Sequence, residues 1–126
     1  MEIPILKIED FLIVSFQIEL SDHEIDMLRE SILDKIKETG ARGLVIDITA
    51  LKTVDSFMAR SLSSIADTAT LLGARTVVVG MQPAVALTLV ELGLRIKWKI
   101  ITALNLESGV NLLRKSLKSG KEMVHE

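Results

Sequence analysis

No cysteine occurs anywhere in the 126 residues. That absence excludes disulfides, thiolate nucleophiles, zinc ribbons and iron–sulfur clusters together, and it suits a reducing compartment such as the cytosol. Aromatic side chains are almost as scarce, with three phenylalanines, one tryptophan and no tyrosine. Proteins that hold nucleic acid combine stacking aromatics with clustered Lys and Arg. Here the formal charge is −2 and the basic residues are scattered, so no nucleic-acid partner is expected. Long apolar runs are also lacking. The longest mostly apolar stretch, residues 81–94, is interrupted by Pro83, Glu91 and Gly93 and is too short to cross a bilayer. The opening Met1-Glu2-Ile3-Pro4 has neither the basic start nor the apolar run of a signal peptide. A cytoplasmic location without membrane contact is the expectation.

What the chain does have is aliphatic bulk. Hydrophobic residues make up 48% and charged residues 25%, enough for one domain over residues 1–126 with its own core. Residues 119–126 are polar and read as a flexible tail. Residues 5–8 and 11–18, split by Glu9-Asp10, predict an antiparallel strand pair. Ser21-Asp22-His23-Glu24 is a capping box. Ile25, Leu28, Ile32 and Ile36 follow at helical spacing, and Gly40 ends that helix in the left-handed conformation. Residues 43–48 read as a strand buried on both faces. A helix from Ser56 to Leu72 follows, with Leu62, Ile65, Ala69 and Leu72 as its inner stripe, and Gly73 stops it. Residues 76–79 form another buried strand. Pro83 opens a third helix ending at Gly93, residues 99–102 a short strand, and residues 106–117 a last helix on Leu106, Val110, Leu113 and Leu117. The fold class is therefore α/β, a mixed and mostly parallel sheet with an antiparallel N-terminal pair and about four helices.

Few residues invite chemistry. The glycines at 40 and 43 fit no phosphate-binding loop and serve as helix cap and strand entry. His23 and His125 stand apart from any acidic cluster at ligand spacing, so neither a metal nor another cofactor is expected, and His23 reads as an exposed first-turn residue. Asp47 interrupts an apolar strand, either at its polar end or in a functional site at the strand's carboxyl end. No nucleophile–base pair accompanies Asp47 and Asp55, which argues against an enzyme. Ser56 admits two readings. It is either the N-cap of its helix or a phosphorylation site, where phosphate would face the helix's free N–H groups with Arg60 one turn on. Ser61, Ser63 and Ser64 lie further in, with hydroxyls expected in solvent or on the preceding turn. The third helix, residues 83–92, is apolar nearly all round. Pro83, Val85 and Leu89 are accordingly candidate contacts with another chain, the alternative being a small-residue face packed tightly inside the monomer.

Three runs, 45–49 (Val-Ile-Asp-Ile-Thr), 54–56 (Val-Asp-Ser) and 73–80, resemble a STAS domain, the fold of bacterial anti-anti-sigma factors, over about residues 5–117. Ordinary members carry a glycine within two residues after the phosphorylated serine, and here Phe57-Met58 follows instead. With residues 3–7, 17–20 and 81–86, this departure is similar to the RsbS-type scaffold of the stressosome. The resemblance implies a bacterial, cytoplasmic, non-enzymatic phosphoprotein. It implies homo- and hetero-assembly with a sensor paralogue of the same fold into a large complex. The complex sequesters a serine/threonine switch kinase, and phosphorylation of Ser56, flanked by Asp55, releases it; a PP2C-type phosphatase reverses the mark. A stand-alone anti-anti-sigma factor and a ligand-binding STAS domain are the alternatives.

Overall fold

The computed structural model describes residues 3–16, 20–93 and 101–118. Its elements run β1 (Ile5–Ile8), β2 (Phe11–Ser15), α1 (Asp22–Thr39), β3 (Gly43–Asp47), α2 (Ser56–Leu71), β4 (Arg75–Val79), α3 (Pro83–Glu91), β5 (Ile101–Ala103) and α4 (Leu106–Lys118). The five strands lie in the sheet in sequence order. The β1–β2 pair is antiparallel, with Ile5 opposite Val14 and Ile8 opposite Phe11, and every later pairing is parallel. The turn between β1 and β2 places Glu9 at φ 54, which suits a tight hairpin. The Asp10 carbonyl then accepts the Arg42 N–H at 2.9 Å and so ties the hairpin to the entrance of β3.

A strand order without reversals, joined by crossovers of one hand, puts successive connecting helices on one face of the sheet. Leu12, Val14, Leu44, Ile46 and Val78 point to that face and are buried with the inner stripes of α1, α2 and α3. The alternate residues Phe11, Ile13, Val45, Val77 and Val79 point to the other face, where Leu113 of α4 covers them. The central strands are thus apolar on both sides, as their near-continuous Val and Ile content demands. Full burial of each such side chain stabilises the fold by roughly 1.5–3 kcal/mol. Helix α4 reaches the sheet through its glycine: a Cβ on Gly109 would stand 3.1 Å from Val77 Cγ1.

Local sequence accounts for the helix ends. The Ser21 hydroxyl accepts the Glu24 N–H at 3.1 Å while the Glu24 carboxylate accepts the Ser21 N–H at 2.9 Å, a complete capping box. Gly40 closes α1 at φ 66 and donates its N–H to Ile36. Pro83 occupies the first turn of α3.

Several boundaries and faces differ from the sequence expectation. Strand β2 ends at Ser15 and β5 begins at Ile101, while residues 17–18 and 99–100, also expected as strand, lie outside the described residues, as do the tail 119–126 and His125. Leu72 belongs to no inner stripe: it is 42% exposed, past the end of α2. Leu106 is 37% exposed at the start of α4, while Leu113 is buried, Val110 and Leu117 pack partly buried against the same cluster, and Gly109 joins them as a buried contact. Ser61 and Ser63 are buried rather than solvated, because they lie on the side of α2 that faces the protein.

Candidate functional site

The carboxyl ends of the parallel strands and the start of α2 build one corner of the molecule. Strand β3 ends at Asp47, whose carboxylate accepts both the backbone N–H and the hydroxyl of Thr49, at 2.9 and 2.6 Å. Asp47 therefore braces the chain as it leaves the sheet, the polar-end reading of this residue. The Thr49 carbonyl in turn accepts a hydrogen bond from Gln82 Nε2 at 3.1 Å, just before α3. The Ile48 N–H bonds to the Val79 carbonyl at 3.0 Å, extending the parallel ladder. Leu51 is buried against the core, so the connection from β3 to α2 is anchored at both ends.

At the start of α2, Asp55 is the N-cap: its carboxylate accepts the Met58 N–H at 2.8 Å, and its carbonyl accepts the Ala59 N–H at 3.0 Å. This corrects the reading of Ser56 as the cap. Capping needs an extended residue whose side chain reaches back to the third helical N–H. Asp55 has that conformation, at φ −87 and ψ 175. Ser56 is the first helical residue, exposed, and its hydroxyl is in no hydrogen bond among the described residues. Arg60 is exposed one turn on and forms no ion pair there. Met58 and Ala59, two and three residues after Ser56, are buried, so the serine stands on a helix start anchored to the core.

The site offers a free hydroxyl and a carboxylate already committed to the backbone. No hydrogen bond among the described residues joins Ser56 to a base. Among the described residues, no group of three or more His, Asp or Glu side chains could hold a metal ion. A groove of about 650 Å³ opens elsewhere, between α1 and the lead into β1, over Ile5, Leu20 and Leu28. Ser56, Asp55 and Arg60 take no part in it. No helix among the described residues is long and apolar enough to cross a membrane.

Helix α3 presents a different face from the one expected. Val85 and Leu89 are 0% and 2% exposed, packed in the protein's own core, and so are not surface contacts. Pro83 is exposed. The apolar residues turned outward are Leu87 and Val90, at 59% and 48%. Leu71, at the end of α2, is 87% exposed. Helices α2 and α3 both run away from the carboxyl ends of their strands, so Leu71 and Val90 lie at the same end of the fold.

Comparison with known proteins agrees with this architecture. The family model of the STAS domain matches residues 2–107. RsbS of Moorella thermoacetica, solved as a serine-to-glutamate variant, is 40% identical; the match covers 94% of this chain and 99% of that one, with a TM-score of 0.85. A chain from a structure described as the molecular architecture of the stressosome, a signal integration and transduction hub, is 43% identical. That match covers 89% of this chain and 96% of that one, with a TM-score of 0.79. The RsbT co-antagonist protein RsbRD of Bacillus subtilis is 32% identical over 92 residues, 72% of this chain and 33% of its own length. The chain spans about one third of the length of the curated relatives it matches. It is a member of the STAS domain family.

Proposed function

We propose that this chain is a non-enzymatic scaffold subunit of a stressosome-type assembly, and that it holds a serine/threonine switch kinase until Ser56 is phosphorylated. The observation that carries the reading is the exposed, unengaged Ser56 hydroxyl on the first residue of α2, beside Asp55. It belongs to a chain 40% identical to RsbS over nearly its whole length. The similarity to a chain of a stressosome structure and to RsbRD supports co-assembly with a longer sensor paralogue. Phosphate adds about −1.5 to −2 charges at neutral pH. A partner shaped to a neutral serine beside an acid then meets repulsion and a desolvation penalty. A loss of about 3 kcal/mol lowers affinity more than a hundredfold, which is enough to free a bound kinase.

The test is to incubate the chain and its sensor paralogue with the cognate kinase and ATP, map the phosphorylated residue, and follow kinase retention by co-sedimentation. Ser56 carries the phosphate and the kinase dissociates as it accumulates, while Ser56→Ala retains the kinase and accepts no phosphate. A mark on Ser61, Ser63 or Ser64 that spares Ser56 rejects the assignment.

A further inference from the structure

A helix N-terminus is an attractive place for phosphate because its first N–H groups lack partners and its dipole favours negative charge. At α2 that place is partly taken. The Asp55 carboxylate holds the Met58 N–H at 2.8 Å, so a phosphate on the next residue arrives beside a bound anion. Two like charges this close repel, and the phosphate is the one with rotational freedom to turn away. Position 60 is four residues along the helix from position 56, and side chains at that spacing are neighbours on one face. Arg60 is exposed there, without an ion pair among the described residues. Its guanidinium presents a planar fork of donors that matches phosphate oxygens in pairs.

We propose that Arg60 is the positioning residue for phosphorylated Ser56: it takes the phosphate onto the flank of α2 and leaves the Asp55 cap in place. The proposal rests on the reading of Ser56 as the phosphorylated residue. The phosphate then stands at a fixed point of the surface, with the Asp55 carboxylate beside it. The partner therefore meets an ordered negative patch in place of a hydroxyl, and α2 does not unwind to produce it. Regulation at this site would thus act on the surface that the partner reads, with the scaffold's own fold unchanged.

The experiment installs phosphoserine at position 56 during synthesis of the full chain, which requires no kinase. Nitrogen NMR then compares the phosphorylated and unmodified proteins. The Arg60 Nε–H signal shifts and its exchange with water slows on phosphorylation, while the Met58 amide keeps its capped position. In Arg60→Ala, phosphorylation lowers the melting temperature by roughly 4 °C more than it does in the native sequence, the scale of one lost charge-assisted contact in a domain of this size. Arg60→Lys recovers part of that difference, because it keeps the charge without the fork. A large Met58 shift with a silent Arg60 means that phosphate displaces Asp55, and the proposal falls. Unchanged signals at both residues reject it equally. Either result leaves the phosphorylated residue to be decided by the kinase mapping, since the installed phosphate does not depend on it.

Discussion

Gly80, just past β4, lies against the backbone of Thr49, so close that a Cβ on residue 80 would stand 2.9 Å from the Thr49 Cα. The glycine also has φ +75, a conformation that costs other residues roughly 1–2 kcal/mol. Thr49 cannot give way easily, because Asp47 holds it from one side and Gln82 from the other. Gly80→Ala therefore combines backbone strain with overpacking of roughly 1–3 kcal/mol. Urea denaturation should show a loss of about 2–5 kcal/mol, accompanied by loosened amide protection in the connection from β3 to α2.

Asp55 separates capping from charge. Asparagine caps a helix about as well as aspartate, whereas alanine loses about 1 kcal/mol. Asp55→Asn should accordingly unfold within a few tenths of a kcal/mol of the native sequence, and Asp55→Ala should be weaker by about 1 kcal/mol. Kinase assays on both variants assign the role of the residue in phosphorylation. A rate lost in the alanine variant and restored by asparagine belongs to the cap. A rate lost in both belongs to the carboxylate charge.

The capping box of α1 gives a pH signature. The Glu24 pKa is lowered, first by the backbone N–H of Ser21 and then by the Ser21 hydroxyl. Because the folded value lies below the unfolded one, the ionised carboxylate favours the folded state above the ordinary glutamate pKa. That contribution disappears as pH falls through the folded value. Melting temperatures measured across the acid range should decline less steeply in Glu24→Gln than in the native sequence. Ser21→Ala should cost about 1 kcal/mol at neutral pH through the lost cap.

How far the sequence reveals this structure depends on the reach of each interaction. The box at Ser21 and Glu24 closes within three residues, so its signal is wholly local and legible. The alternating faces of β2, β3 and β4 follow from the pleat, and the strand order follows from short crossovers. The cap of α2 was ambiguous by one position, since Asp55 and Ser56 are both favoured at N-caps and only backbone conformation decides between them. Helix α3 defeats periodicity for a different reason: when nearly every position is apolar, spacing does not reveal which stripe faces inward. Gly109 was invisible because a glycine inside a helix becomes informative only once the valines of β4 are known to lie beneath it. The free hydroxyl of Ser56 was likewise a matter of three-dimensional placement, while its chemical promise came from family likeness.

The geometry of α3 turns that ambiguity into a test of assembly. Val85 is fully buried among core residues, so Val85→Glu places a carboxylate in an apolar interior at a cost of several kcal/mol. Loss of association in that variant would only report unfolding. Leu87, at 59% exposure on the same helix, is the informative position. Leu87→Glu removes apolar surface without entering the core and should leave circular dichroism and melting temperature nearly unchanged. An interface of ordinary size buries about 800 Å² per partner, and a charge within its apolar centre, left unpaired, opposes contact by a few kcal/mol. Sedimentation velocity of the chain alone and mixed with its sensor paralogue should therefore show weaker assembly for Leu87→Glu than for the native sequence. If the variant assembles as well as the native chain, the outward stripe of α3 is not an assembly contact, and the exposed leucine at position 71 becomes the next surface to challenge.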